Sequence, residues 1–432
     1  MAVKLRPEVR SRVRDAIAQA LPHIQVGSYI AMSFAFMAVD MALPKKSPVR
    51  ELLARYLDDF PLSDFINDVL SEDLERRDDF RFDSERKLTD LEGYDDPKAT
   101  AEELISRFET LPWSYALTAV LPHQLRELIP DGAAEIQLGP SLRICRPTHA
   151  FQTAFPLLAD NPAANDRLAG PARYFNRGQP RAAAQWAFDE IYFQIDAQGF
   201  IQRFPYSPTV STAERLLRSF CGLGLATGLF QSHSYLASHS APIPVFVHRR
   251  AVNGKWEPFT RYNLSESVAR GLRTLYVGHP NDVLRIKPLD TERIAAQLAH
   301  INAALSLGQK ADQTLLAAQW LFDGSTGHDP LLTFVQSMVV LEILLGDKSQ
   351  SDQLSISTLI SNRLAYLVGK THEERTSLIA TFKEIYAVRS QIVHSGKPHL
   401  RSDDHRLLDE LRRMGRAAIT KELDALLTPR TK

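Results

Sequence analysis

Net charge is the first thing this chain lacks. Lys plus Arg equals Asp plus Glu at 51 each. No overall basic field draws the chain to nucleic acid, so any such contact must use a local patch. Cysteine is scarce: Cys145 and Cys221 stand alone, too few for a disulfide framework. Both read as buried thiols, and the expected compartment is a reducing cytoplasm. A secretory pattern is missing at the N-terminus. The longest apolar stretch, IQVGSYIAMSFAFMAVDMAL at 24–43, is long enough to span a bilayer. It carries Gly27, Ser28, Ser33 and Asp40, however, and the segment before it is amphipathic rather than signal-like. The expectation is a buried core helix and no membrane partner.

Common catalytic signatures are also missing. The chain has no GxxxxGK[ST] phosphate loop, no HExxH, no paired CxxC and no GxSxG elbow. GLGLATG at 222–228 sits inside a helical pattern and does not lead from a strand into a helix, which argues against a dinucleotide fold. HLRSDDH at 399–405 has metal-ligand residue types, but acidic residues at a solvated helix start are the simpler account. No metal and no cofactor are therefore expected.

What is present sorts into three regions of an α+β multidomain chain, with enough apolar residues (44%) for a sizeable core. Residues 1–110 read as mostly helical: EVRSRVRDAIAQA, PVRELLARYLDDF, SDFINDVLSEDLERR and ATAEELISRFETL, with Pro48, Ser63 and Thr100 as start signals. DDFRFDSERKLTDLEGYDDPKA reads as an exposed loop or helix edge. Residues 111–288 read as α+β, a possible sensor or regulatory domain. AEIQLGPSLRIC gives two strands around a Gly139-Pro140 turn, and AFDEIYFQIDAQGFIQRF and IPVFVHRR give further strands. STAERLLRSFCGLGLATGLF gives a helix whose second half three glycines loosen. NPAANDRLAGPARYFNRGQPRAAAQ, at 161–185, reads as an insertion. From residue 290 to 432 strand signals vanish, and five or six helices with short connections form an all-α helical bundle.

Arg followed by His after four to six residues occurs as Arg143 with His149, Arg273 with His279, Arg293 with His300, and Arg389 with His394. Spacing alone cannot choose, and RIAAQLAH at 293–300 stays open because its ends share a helical face. The last pair has more context. Leu378, Phe382, Ile385, Arg389 and Ile392 fall on one helical stripe, so Arg389 should be partly buried and needs an anionic partner. Glu342 interrupts the stripe of Val335, Met338 and Leu345 and is the first candidate. Glu384, five residues from Arg389 on its own helix, is the poorer one. A structural Arg–Glu pair fixing helix register explains the same residues. Gly396 and Pro398 end the helix just after His394, which lies about 140° around an ideal helix from Arg389.

DPLLTFVQSMVVLEILLGDK, NRLAYLVGKTHEER and FKEIYAVRSQIVHSG occur in that order within residues 312–427, and together they resemble the Apea-like branch of the HEPN superfamily. The resemblance implies a HEPN-like bundle acting as a homodimeric, metal-independent endoribonuclease on an RNA substrate. The setting implied is bacterial antiphage defence or a toxin-like system, with a phage-derived trigger. It places the catalytic roles on Arg389 and His394, with Glu342, Ser390 and Tyr386 in support. Ser390 departs from the family, which often carries Asn or Asp directly after the arginine. The expected chemistry is attack by the RNA 2′-hydroxyl, giving 2′,3′-cyclic phosphate and 5′-hydroxyl ends. Two alternatives accompany it: a noncatalytic bundle that binds RNA or a partner, and a phage- or DNA-responsive regulator whose middle domain holds the ligand.

Overall fold

The computed structural model describes residues 3–26, 30–31, 35–46, 48–57, 60–75, 86–130, 132–157, 186–202, 207–233, 236, 242–278, 290–346 and 355–428. The 161–185 stretch expected to be an insertion lies outside the described residues, as do 78–85 of the expected exposed loop.

Helical spacing in the first region does what it implies. Val13, Ile17 and Ala20 recur along α1 (Pro7–Ala20) and are buried. The 24–43 run is not the single core helix expected. It makes strand β1 (Gln25–Val26), strand β2 (Ile30–Ala31) and short helix α2 (Ala35–Met41). β1 pairs antiparallel with β2 and with β3 (Arg86–Lys87). An apolar run of this length does not specify helix over strand by itself, and here backbone pairing to β3 claims its start. Asp40 is the second reason. Its carboxylate is buried and accepts from the backbone N–H of Leu62 at 2.9 Å and of Ser63 at 3.1 Å. It thereby ties α2 to the start of α4 (Pro61–Glu75), which begins at Pro61 rather than at Ser63. α3 (Pro48–Leu53) does start at Pro48. α5 (Pro97–Phe108) is capped by Asp96, whose side chain accepts from Lys98 and Ala99 N–H, and not by Thr100, which lies inside the first turn. Leu88 and Leu91, in the stretch expected to be exposed, are buried in this region's core beside Phe65 and Phe108.

The middle region is built on a six-stranded antiparallel sheet in the order β10-β9-β4-β7-β6-β5. Its strands are β4 (Trp113–Val120), β5 (Glu135–Leu138), β6 (Leu142–Cys145), β7 (Tyr192–Gly199), β9 (Pro244–Arg250) and β10 (Trp256–Asn263). α6 (His149–Ala154) precedes an aromatic cluster on one face, where Phe155, Trp186 and Tyr192 are buried. α7 (Pro208–Thr227) covers the other face through Leu217, Phe220 and Leu225. The glycines of α7 do not loosen it. A Cβ on Gly222 would sit 1.8 Å from the Ala318 carbonyl, so glycine is what lets the two helices touch. β8 (Phe230–Ser232) and β11 (Leu275–Val277) form a small ladder, preceded on the β11 side by α8 (Glu266–Thr274).

Among the described residues six α-helices follow, within the five or six expected: α9 (Thr291–Ser306), α10 (Asp312–Thr326), α11 (Pro330–Leu345), α12 (Ile356–Val368), α13 (His372–Ser395) and α14 (Ser402–Leu427). The largest buried cluster runs without a break from the sheet through Ile294, Ile301, Ala318 and Phe322 of α9 and α10. A separate core joins α11 to α14 through Phe334, Met338, Leu364, Phe382, Ile385 and Leu411. The chain is thus mixed helix and sheet with a helical C-terminal region. Among the described residues no helix is long and apolar enough to cross a membrane.

Candidate functional site

α13 carries the site, and both its ends are fixed locally. At the start, Thr371 Oγ1 accepts from Glu374 N–H at 3.2 Å, while the Glu374 carboxylate accepts from the N–H groups of Lys370 and Thr371. Those two backbone donors hold the Glu374 carboxyl below the usual carboxylate range. At the finish, Gly396 adopts φ 64°, the left-handed conformation that stops the helix. Lys397 then locks the turn into α14: its Nζ donates to Gln391 at 3.1 Å and meets Asp404 at 2.7 Å. Burial pushes the Asp404 carboxyl up, but hydrogen bonds from Lys397 and the Arg401 backbone leave it below its ordinary value. HLRSDDH is therefore a helix start organised by Asp404. Among the described residues no cluster of three or more His, Cys, Asp or Glu side chains is arranged to hold a metal.

Leu378, Phe382 and Ile385 of the α13 stripe are buried, and the stripe comes to the surface at Arg389. Arg389 Nη2 donates to Glu342 Oε1 of α11 at 3.4 Å. Glu384, the other candidate, lies 4.0 Å from Arg406 instead. The Arg389–Glu342 contact is long, and the side chains keep 23% and 27% of their exposure. Arg389 Nε is buried with no acceptor among the described residues. Its guanidinium carbon lies 6.0 Å from the Tyr386 ring centre, and that ring lies 6.4 Å from Phe382. Ser390 is half-buried beside Arg389.

His394 lies five residues beyond Arg389 on α13, about 140° around an ideal helix. It is exposed in the last turn of α13 and makes no hydrogen bond or ion pair among the described residues. Around the site, Leu332, Val335, Val339 and Glu342 follow three–four spacing on the outer side of α11 and are exposed or half-buried. Val393 of α13 is 46% exposed. Arg143, Arg293 and His300 of the other pairs bond within the fold. Arg143 Nε donates to Gln194 at 2.6 Å. Arg293 donates to the Gly228 carbonyl, and His300 lies 3.7 Å from Asp424. His279 lies outside the described residues.

Sequence reasoning missed the arginines of α14, although RRMGR at 412–416 is a visible signal. Taken together, fold and site define a mixed helix–sheet chain whose C-terminal helices present a half-buried arginine beside an acidic residue, with an exposed histidine at the helix end. No family model, curated protein or solved structure matches the chain.

Proposed function

We propose that the chain is a metal-independent endoribonuclease of the HEPN type, acting as a homodimer through its C-terminal helices. The observation that carries this reading is the state of Arg389. It is half-buried, its one hydrogen bond among the described residues is long at 3.4 Å, and a buried N–H has no acceptor there. A desolvated guanidinium with donors to spare favours an anion, and its planar fork suits two oxygens of a phosphate.

The chemistry follows from what RNA supplies. Its 2′-hydroxyl attacks the adjacent phosphorus, the bond to the 5′-oxygen breaks, and a 2′,3′-cyclic phosphate and a 5′-hydroxyl remain. One group takes the 2′ proton and another protonates the leaving 5′-oxygen, while a cation offsets the charge that builds on the phosphorane. Arg389 is the cation. His394, exposed and without a hydrogen bond or ion pair among the described residues, is the proton carrier. Glu342 and Tyr386 orient the guanidinium, and Ser390 lines the site. Arg389 and His394 occupy different faces of α13, so a two-fold axis near the helix ends is needed to gather both residue types from two chains. The half-exposed apolar stripe of α11 and Val393 are the surface a second copy would cover. Residues 1–288 would then sense a phage-derived trigger or restrain cutting, in the cytoplasm of a defence or toxin-like system.

The rival reading is a noncatalytic RNA- or partner-binding bundle. It is favoured by the fact that the Arg389–Glu342 contact already links α11 to α13. Mutants separate the two. Arg389→Ala and His394→Ala should each lose at least about 100-fold in RNA cleavage, the scale of a lost acid–base or charge-stabilising group, with the fold retained by circular dichroism. Wild-type rates in either variant, or loss of activity in Arg293→Ala instead, overturn the assignment. A fully active monomer in light scattering overturns the composite site.

A further inference from the structure

Arg412, Arg413 and Arg416 crowd one stretch of α14. Arg413 turns outward to Glu410. Arg412 and Arg416 lie one turn apart, about 6 Å along the helix axis, and both are half-buried. They lie on the other side of α14 from Leu411 and Met414, which pack into the core shared with α13. The helices beside them are α10 and α7. Arg412 Nε donates to the Gly324 carbonyl at 2.9 Å, and Thr420, one turn beyond Arg416, donates to the Ala226 carbonyl at 3.1 Å.

Their charge is poorly offset. Asp409 lies 3.5 Å from Arg412 Nη1 but is itself 78% exposed. The Arg416 side chain makes no hydrogen bond or ion pair among the described residues, and its Nε is buried without an acceptor there. Burial disfavours the charged form of both side chains, the charge of Asp409 only partly offsets this, and Arg416 adds like-charge repulsion on Arg412. A structural account covers Arg412, which caps the last turn of α10, where a cation offsets the helix dipole. It leaves Arg416 without a purpose. Of the described arginines whose Nε is buried, Arg146 donates to the Ile129 carbonyl, and both it and Arg261 have other partners in the fold. Arg389 and Arg416 share a buried Nε with no acceptor among the described residues.

We propose that Arg412 and Arg416 form a second phosphate site, which grips the RNA backbone away from the cutting residues; its choice of ligand rests on the ribonuclease reading above. Two guanidinium forks one turn apart reach one phosphate group or two neighbouring ones, without reading base identity. Binding there orients a strand and adds a salt-dependent term to affinity. It also answers how a chain with no net charge holds a polyanion: through local pairs of desolvated arginines.

Fluorescence anisotropy of the full chain with a 2′-O-methyl RNA oligonucleotide, which cannot be cut, isolates binding. Arg416→Gln should weaken binding about tenfold and lower the slope of log affinity against log salt by about one. The double Arg412→Gln, Arg416→Gln variant should lower that slope by about two. Arg416→Lys keeps the charge and should keep the slope. All should melt near the wild-type temperature. An Arg416→Gln chain with wild-type affinity and slope overturns the site, and so does one whose only defect is a lower melting temperature. The two proposals fail separately. Arg389-dependent cutting with Arg416-independent binding removes this site and leaves the nuclease. Arg416-dependent binding without any cutting removes the nuclease and leaves this site.

Discussion

Two arginine–glutamate contacts in this molecule look alike in sequence and behave oppositely in structure. Arg249 of β9 meets Glu72 of α4 at the seam between the first region and the sheet. Glu72 is 1% exposed, and two guanidinium nitrogens donate to its two oxygens. The rings of Trp113 and Phe259 flank Arg249, with centres 5.0 and 4.7 Å away. Burial alone would lower the Arg249 pKa, but the hydrogen bonds and charge of Glu72 raise it above its ordinary value. Among the described residues Arg389 of α13 has one long ion pair and an unfilled Nε, and about a quarter of its surface is open. The chain supplies everything Arg249 needs and leaves Arg389 short. A saturated pair marks architecture, and an unsaturated one on a surface marks a place for a ligand.

The comparison can be broken at several points. Glu72→Ala should have the largest effect on stability, about 3–5 kcal/mol, because it leaves a desolvated cation without its carboxylate. Denaturant titration measures it, and a cost near that of a surface pair would erase the contrast. Glu342→Ala should cost only about 1 kcal/mol or less. The sequence alone allows a buried pair worth several times that, but the observed exposure of both side chains does not. A loss as large as that of Glu72→Ala would make Arg389 an architectural residue.

His248 supplies the smallest and sharpest test. It resolves the problem of a buried cationic group by staying neutral. Its Nε2 donates to the Pro156 carbonyl at 2.9 Å, and its Nδ1 is buried with no partner. Burial pushes its pKa below 6.5, and the Pro156 bond only partly offsets this. The unfolded chain therefore takes up a proton that the folded chain declines. The stability this group confers is present above about pH 6.5 and is lost as pH falls through the lower folded value. The melting temperature should drop on acidification across that window, and His248→Phe should flatten part of the drop. An unchanged slope would mean that His248 is not held neutral.

Legibility differed by region for physical reasons. The β5–β6 hairpin was readable because Gly139-Pro140 marks its turn, and the end of α13 because Gly396 takes a conformation few other residues tolerate. Central strand β4 was not readable. Tyr115, Ala116, Leu117 and Thr118 are all buried, so both faces are covered and the period-two pattern disappears. The 24–43 run misled because its apolar content does not reveal that β3, some sixty residues on, pairs with its start. Within the site, the Arg389–Glu342 contact was legible because both residues interrupt apolar stripes. The state of Arg416 was not, because the covering of α14 depends on α7 and α10, which the local pattern does not encode.

The most direct test is to incubate the purified chain with RNA in EDTA and determine the chemistry of any new ends. The account predicts cleavage that leaves 2′,3′-cyclic phosphate and 5′-hydroxyl termini, and none from the Arg389→Ala chain. Intact RNA, cleavage only on adding a divalent metal, or 5′-phosphate ends would contradict it.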